Sequence, residues 1–472
     1  MAQSFVGREQ ELAQLEEIYG ADDFQMVVVY GRRRVGKTTM LAQFAQGKHA
    51  LFFTAQQQSD TGNLSDFSSE VAKFFGLPDG TVFQSWDAAF AYLAEQAAKE
   101  PYLLIFDEFP YAAMANPSLV SKLQIAIDHR FSATKMCMIL CGSNQGFMES
   151  DVLGSKSPLH GRRTAQMHVR PFDYAGAAQM LSGCEPEDAF RYYACVGGVP
   201  YYLAQVRPDL TFRENIQRLF FSTGGLLYEE PLMLLRQELR EPALYNSILR
   251  AIGSGANRQN EIASRAGVSP SSVPKYLKTL IDLGIIERVV PFGENPETSR
   301  HGIYRIADAC FDFWYTFVMP VVGDVEAGAG SIVAESISDQ AMSTYFGHRF
   351  ERVCREWMVR QSLAGRLPIK ASGFGSWWGS NPQTREQDDI DVIAADRFAK
   401  TSIIGECKWR NSFDESEAID KLRARTTLVR GFETVAYYLF SKNSLAPATL
   451  AKMEACGDMR SVTLEEIYKD TN

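Results

Sequence analysis

Met26-Val-Val-Val-Tyr30 runs directly into Gly31-Arg-Arg-Arg-Val-Gly-Lys-Thr38, and Thr38-Thr-Met-Leu-Ala-Gln-Phe-Ala follows with helical character. A β-branched strand, a glycine-bounded turn ending in Gly-Lys-Thr and a helix are the context that a phosphate loop requires. The two glycines let successive backbone N–H groups wrap a β-phosphate. Lys37 would reach the β- and γ-phosphates, and Thr38 would give a hydroxyl to Mg²⁺. Gly31, Arg32, Arg33, Arg34, Val35, Gly36, Lys37, Thr38 and Thr39 are therefore the candidate nucleotide contacts, with ATP and Mg²⁺ as the expected ligands.

Two further apolar strands end in chemistry. Tyr102-Leu-Leu-Ile-Phe106 leads to Asp107-Glu108. A carboxylate at that strand end is placed to hold Mg²⁺, and the next glutamate to orient an attacking water. Met136-Cys-Met-Ile-Leu-Cys141 leads to Gly142-Ser143-Asn144, where Ser143 and Asn144 read equally as γ-phosphate sensors or as a turn.

The bulk numbers set limits. A chain of 472 residues is long for a single core and implies several domains. Apolar and charged fractions of 46% and 22% are those of a globular protein, and no apolar run has the length of a membrane span. With no basic-then-apolar leader at its start, the chain is expected to be cytoplasmic. Eight scattered cysteines without a CxxC pair point to reduced, buried thiols. A net charge of −9 excludes wholesale polyanion binding and leaves room for a local basic face.

After Glu241-Pro242 the pattern shortens into three helical stretches, the third following Val268-Ser-Pro-Ser-Ser-Val-Pro274. Pro274 is tolerated there if Ser271 or Ser272 is the N-cap. Gly284-Ile-Ile-Glu-Arg-Val-Val290 and Ile303-Tyr-Arg-Ile306 then read as a two-stranded wing, completing a winged helix. On its third helix Val273, Leu277, Leu280 and Ile281 are expected to face inward. Ser272, Lys275, Lys278 and Thr279 are expected to face outward, toward DNA or a neighbouring domain.

The last third contains Ile403-Ile-Gly-Glu-Cys-Lys-Trp-Arg410. Glu406 and Lys408 share one strand face, roughly 7 Å apart, which alone is equally a surface ion pair. The preceding Asp388-Asp-Ile-Asp391 strand puts Asp389 and Asp391 on one face, and the helix His348–Arg360 carries Glu351 at the border of an apolar stripe. An Asp on one strand and Glu-x-Lys on the next would hold a divalent metal and orient a water for attack on phosphorus.

With Phe5-Val-Gly7-Arg8, Ser157–Arg163 and Gly197-Gly-Val-Pro-Tyr-Tyr-Leu203 added, the order of motifs over roughly residues 1–235 resembles the archaeal-type ATPase family of AAA+/STAND P-loop NTPases. That resemblance implies that Gly7 and Arg8 lie near the adenine and that Arg162 or Arg163 is an arginine finger serving a homo-oligomer. The series Phe350-Glu351, Asp389–Val392 and Gly405–Trp409 resembles a PD-(D/E)xK restriction-endonuclease-like domain, and the domain of unknown function fused to this ATPase family. It implies Asp391, Glu406 and Lys408 as catalytic residues, and Glu351, Asp391 and Glu406 as ligands of Mg²⁺ or Mn²⁺.

The expected architecture is multidomain α/β: a P-loop core (1–172) with a parallel sheet, a helical lid (173–235), a winged helix (236–308) and a nuclease-like domain (309–472). The expected function is ATP hydrolysis coupled to DNA binding or metal-dependent DNA cleavage. A nucleotide-controlled DNA-binding or scaffold switch with an inactive nuclease fold is the alternative.

Overall fold

The computed structural model describes residues 5–469. Residues through Pro171, together with Val199–Tyr201, form one compact unit, and the remainder forms a second.

The first unit is built on a parallel sheet of β1 (Gln25–Tyr30), β2 (Ala50–Thr54), β3 (Leu103–Asp107), β4 (Cys137–Gly142) and β5 (Ala165–His168), in the order β2-β3-β4-β1-β5. Every residue of β1, β3 and β4 is buried, as a parallel sheet covered by helices on both faces demands. Alternation divides β1: Met26, Val28 and Tyr30 enter one apolar cluster and Val27 and Val29 the other. With β1, β4 and β3 adjacent and parallel, their carboxyl ends bring the phosphate loop, Asp107-Glu108 and Gly142-Ser143 to one edge. This is where ligands bind in open α/β sheets. Helix α1 (Lys37–Ala45) starts directly from the loop.

In the second unit, α2 (Pro242–Gly253), α3 (Gln259–Ala266) and α4 (Val273–Asp282) precede an antiparallel ribbon of β6 (Ile286–Val289) and β7 (Ile303–Ile306). Ser272 is the N-cap of α4 and Pro274 falls in its first turn, so no intrahelical bond is lost. Val273, Leu277 and Leu280 are buried as expected. Ile281 is not: it is 37% exposed, because the inward face of this short helix is already closed by the other three.

Helix α5 (Asp339–Leu363) begins at Ser338, whose hydroxyl accepts the Ala341 N–H, and buries Phe350, Val353, Cys354, Trp357 and Met358. A mixed sheet follows: β8 (Gly373–Ser380), β9 (Gln387–Asp396), β10 (Thr401–Lys408), β11 (Glu433–Ser441) and β12 (Met459–Thr463), ordered β12-β11-β10-β9-β8. The pairs β8–β9 and β9–β10 are antiparallel; β10–β11 and β11–β12 are parallel. Helix α6 (Glu415–Ala424) makes the crossover that the parallel β10–β11 pair requires.

The segments expected as lid, winged helix and terminal domain cluster as one unit, apart from Val199–Tyr201. The reason is a shared interior: Trp314 Nε1 donates to the Tyr228 carbonyl at 2.6 Å, Tyr345 Oη to the Ala194 carbonyl at 2.9 Å, and the Phe190 and Trp409 rings lie 4.3 Å apart. All eight cysteines are free thiols.

Candidate functional site

The phosphate loop has the backbone its sequence demands. Gly31 has φ +150°, and a Cβ there would stand 2.2 Å from the Val169 carbonyl oxygen, so no larger residue fits. Arg34 and Gly36 also take positive φ, 69° and 88°. The buried Lys37 ammonium donates to the carbonyls of Gly31 (2.8 Å) and Arg32 (3.0 Å), curled over the turn. Thr38 Oγ1 donates to Asp107 Oδ2 at 2.8 Å, joining the loop to the end of β3. Mg²⁺ keeps several waters and needs one or two protein oxygens beside phosphate. The Thr38 hydroxyl and Asp107 carboxylate fit that need.

Glu108 has φ +48°, an uncommon conformation for a non-glycine residue. Its Oε2 accepts from the Ser143 N–H (3.1 Å) and hydroxyl (2.8 Å), so the carboxylate is held against the end of β4. Asn144 instead caps a short helical turn, its Oδ1 accepting the Phe147 N–H at 3.0 Å. Arg33 reaches Tyr111 Oη (2.7 Å). Arg8, left-handed after Gly7, donates to the Val35 carbonyl of the loop (3.0 Å) and to the Arg170 carbonyl (2.6 Å). Pro200 and Tyr201 complete the surroundings: Tyr201 stacks on the Arg34 guanidinium at 4.9 Å, and Pro200 Cγ lies 3.7 Å from where a Gly36 Cβ would stand. Thr38 and Thr39 are exposed. Arg162 forks onto Asp128 with two 2.7 Å bonds and also donates to two carbonyls, while Arg163 donates to the Leu153 carbonyl.

The second cluster lies at β9, β10 and α5. Glu406 is buried, with Oε1 accepting from Lys408 Nζ and Oε2 from Arg425 Nη1. Arg425, just past α6 and itself buried, also donates to Asp388 Oδ1 (2.8 Å) and to Asp389 Oδ1 (3.3 Å). Asp391 Oδ2 accepts the Cys407 N–H at 2.8 Å. Desolvation, then the charges of Glu351 and Glu406, push the Asp391 carboxyl well above the usual range. Desolvation also raises Asp389, whereas Asn381 and Arg425 hold Asp388 low against its own burial.

The sequence-predicted Asp391, Glu406, Lys408 and Glu351 are therefore drawn to one end of the sheet. Glu351, Asp391 and Glu406 are nevertheless not set out as ligands of one cation. Both Glu406 oxygens are engaged by cationic side chains, and among the described residues no group of three or more His, Cys, Asp or Glu side chains is arranged to hold a metal ion. A divalent ion needs several converging open oxygens, which this arrangement does not present. Arg425 supplies the positive charge instead. Nothing in Ala424-Arg-Thr-Thr427 marks that residue locally.

Comparisons with known proteins match three stretches of the chain. Residues 5–206 match a family described as an ATPase domain predominantly from Archaea, residues 247–289 the IclR helix-turn-helix domain, and residues 314–419 a family of archaeal and bacterial proteins of unknown function. The uncharacterised protein MJECL04 of Methanocaldococcus jannaschii is 29% identical over 410 residues, covering 87% of this chain and 88% of that one. The uncharacterised ATP-binding protein MJ0423 of the same organism is 41% identical over 44 residues, 9% of this chain and 75% of that one. The Walker-type ATPase PABY2304 of Pyrococcus abyssi superposes with a TM-score of 0.51 at 20% identity, covering 66% of this chain and 97% of that structure. The chain thus carries a P-loop ATPase domain of archaeal type, an IclR-type helix-turn-helix, and a terminal mixed-sheet region matched in part by the family of unknown function.

Proposed function

We propose that this protein binds and hydrolyses ATP and uses its nucleotide state to govern DNA binding through the winged helix. The observation that carries the reading is the 2.8 Å bond between Thr38 and Asp107 beneath a loop closed by Lys37, which is the protein half of a Mg–nucleotide site. In this reading residues 1–172 are the ATPase core, 173–235 its lid, 236–308 the winged helix and 309–472 a nuclease-like domain. Gly7 and Arg8 border the base, Gly31–Thr39 hold the phosphates, and Thr38 and Asp107 hold Mg²⁺, which would neutralise charge on the transferred phosphoryl group. Glu108 orients the water once released from Ser143, and Ser143 and Asn144 lie nearest the γ-phosphate. Arg162 or Arg163 serves a neighbouring copy. The N-cap Ser272 with Lys275, Lys278 and Thr279 of α4 form the DNA-facing surface, a reading supported by the helix-turn-helix match.

The test is nucleotide binding and turnover in two variants. Lys37→Ala should abolish tight ATP binding, whereas Glu108→Gln should keep it and slow hydrolysis by orders of magnitude. Wild-type turnover in Glu108→Gln would remove the assignment.

Arg425 favours the switch form of the terminal domain, in which a nuclease-like fold binds without cutting. The second reading, metal-dependent DNA cleavage, rests on Glu351, Asp391, Glu406 and Lys408 meeting at one sheet end. Incubation with DNA and Mn²⁺ should give no cleavage; cleavage abolished by Glu406→Gln would establish the second reading.

A further inference from the structure

The second unit holds a cavity of about 700 Å³ between α2, the β6–β7 ribbon and α5. Four guanidiniums line it, those of Arg305, Arg349, Arg352 and Arg355, with the carboxylates of Glu287, Asp312 and Glu351, and Glu356 pairs with Arg352 beside them. Two of the four are neutralised: Arg305 bonds Glu287 at 2.7 Å, and Arg352 bonds Glu356 at 3.2 Å and the Ala307 carbonyl at 2.8 Å.

The other two are paired at longer range. Arg349 is buried and has no hydrogen-bonding partner among the described residues; its ion-pair contact is Asp312 Oδ2, at 3.6 Å. Burial, moreover, pushes the Asp312 carboxyl up and weakens that partner as an anion. Arg355 gives one N–H to the Asp391 carbonyl at 2.8 Å and stands 3.8 Å from Glu351, which it shares with His348 at 3.5 Å. Burial and Arg305 pull the Arg355 guanidinium below its usual value. A guanidinium is a planar fork of five donors, suited above all to carboxylate or phosphate oxygens.

We infer that this cavity is a phosphate-binding site in which the free donors of Arg349 and Arg355 take a phosphate group of a nucleic-acid strand. The identity of the occupant rests on the DNA-binding reading; the anion site itself does not. The cavity shares Thr344, His348 and Glu351 with a second one of about 760 Å³ that opens onto Lys408, Arg410 and Lys421. A strand held at Arg349 and Arg355 would therefore be led along α5, past Glu351, to the carboxylate end of β10, with the wing ribbon beside it.

The experiment uses the full chain carrying Lys37→Ala, so that the phosphate loop does not compete. Fluorescence anisotropy with a single-stranded oligonucleotide is read against salt, since each lost phosphate contact lowers the salt slope by roughly 0.7 to 1. Arg349→Gln with Arg355→Gln should weaken binding about tenfold and lower that slope. Thr344→Glu, an exposed position that leaves the core untouched, should weaken binding by repulsion, while Lys275→Ala on α4 should weaken it additively.

Isothermal titration with inorganic pyrophosphate is the second arm, with one weak site expected in the Lys37→Ala chain and none in the arginine variants. If DNA binds but neither the arginine changes nor Thr344→Glu alters affinity or slope, a nucleic-acid occupant is overturned. If neither this oligonucleotide nor a duplex of the same length binds, the DNA-binding reading falls, and pyrophosphate binding lost with the arginines would still establish the anion site. Absence of pyrophosphate binding in that case overturns the site as well.

Discussion

Replacing Arg425 by leucine tests the charge balance at the end of β10. The perturbation removes the cation bonded to Glu406, Asp388 and Asp389, and two of these, Glu406 and Asp389, already act on the desolvated Asp391. Breaking a buried ion pair by removing one partner typically costs about 3 to 5 kcal/mol. The Arg425 and Glu406 side chains are 11% and 8% exposed, so the pair belongs to that class, while Lys408 remains to Glu406 and sets the value near the lower end, about 3 kcal/mol. For a domain of this size about 3 kcal/mol lowers Tm by roughly 6 to 12 °C. Tryptophan fluorescence follows it, because Trp357 and Trp409 are packed against this sheet. Glu406→Gln in the same chain should recover part of the loss, with a coupling energy of about 1 to 3 kcal/mol. Mn²⁺ should raise Tm only when Arg425 is gone, since only then are the carboxylate oxygens open. A loss below about 1 kcal/mol, the level of a surface pair, or equal Mn²⁺ stabilisation of the unaltered protein, would refute the assignment of Arg425 as the internal cation.

Three other outcomes follow from the first unit. Burial, with Arg170 and Lys37 nearby, holds the His168 imidazole below its usual value, so the unfolded chain takes up that proton first and stability falls as the pH drops below about 6.5; His168→Gln should remove this part of the difference between denaturation midpoints at pH 7 and 5.5. Gly31→Ala drives a methyl group into the Val169 carbonyl and should abolish binding of a fluorescent ATP analogue, either by distorting the loop or by unfolding the unit. Arg162→Ala breaks a partly exposed pair with Asp128 and should cost about 1 kcal/mol or less. If Arg162 serves a neighbouring copy, the same change should cut turnover by about 10³ and mixing with Lys37→Ala chains should restore part of it.

What was legible in the sequence was what neighbouring residues determine. The strand–loop–helix around Gly31–Thr38, the acidic end of β3 and the Glu406–Lys408 pair are each set within a few residues, and each appears where the periodicity puts it. Ser272 and Pro274 were readable for the same reason. Ile281 was misplaced because a helical wheel gives direction and not how much of the inward face other residues already cover. Asn144 and Ser143 looked alike as polar turn residues, and only the position of Glu108 just past the neighbouring strand separates a cap from a carboxylate partner. Arg425 was invisible since its partners lie on β9 and β10, far away in sequence, and the crossover that brings them together is tertiary. Arg349 and Arg355 were hidden similarly: on the helix they are ordinary surface cations, and the cavity they share with the β6–β7 ribbon is tertiary.

Val199–Tyr201 is the feature with the longest reach. A nascent chain that has emerged through Pro171 already holds all five strands of its parallel sheet, yet Pro200 and Tyr201, which flank Gly36 and Arg34, have not been made. The nucleotide loop is finished late in synthesis, by residues delivered after the sheet. An exchange of genetic modules that cuts at the last strand would carry away the five strands without two residues that flank the loop, and the matched ATPase region continues to residue 206. For this chain the surroundings of the nucleotide loop reach further along the sequence than the sheet that carries it.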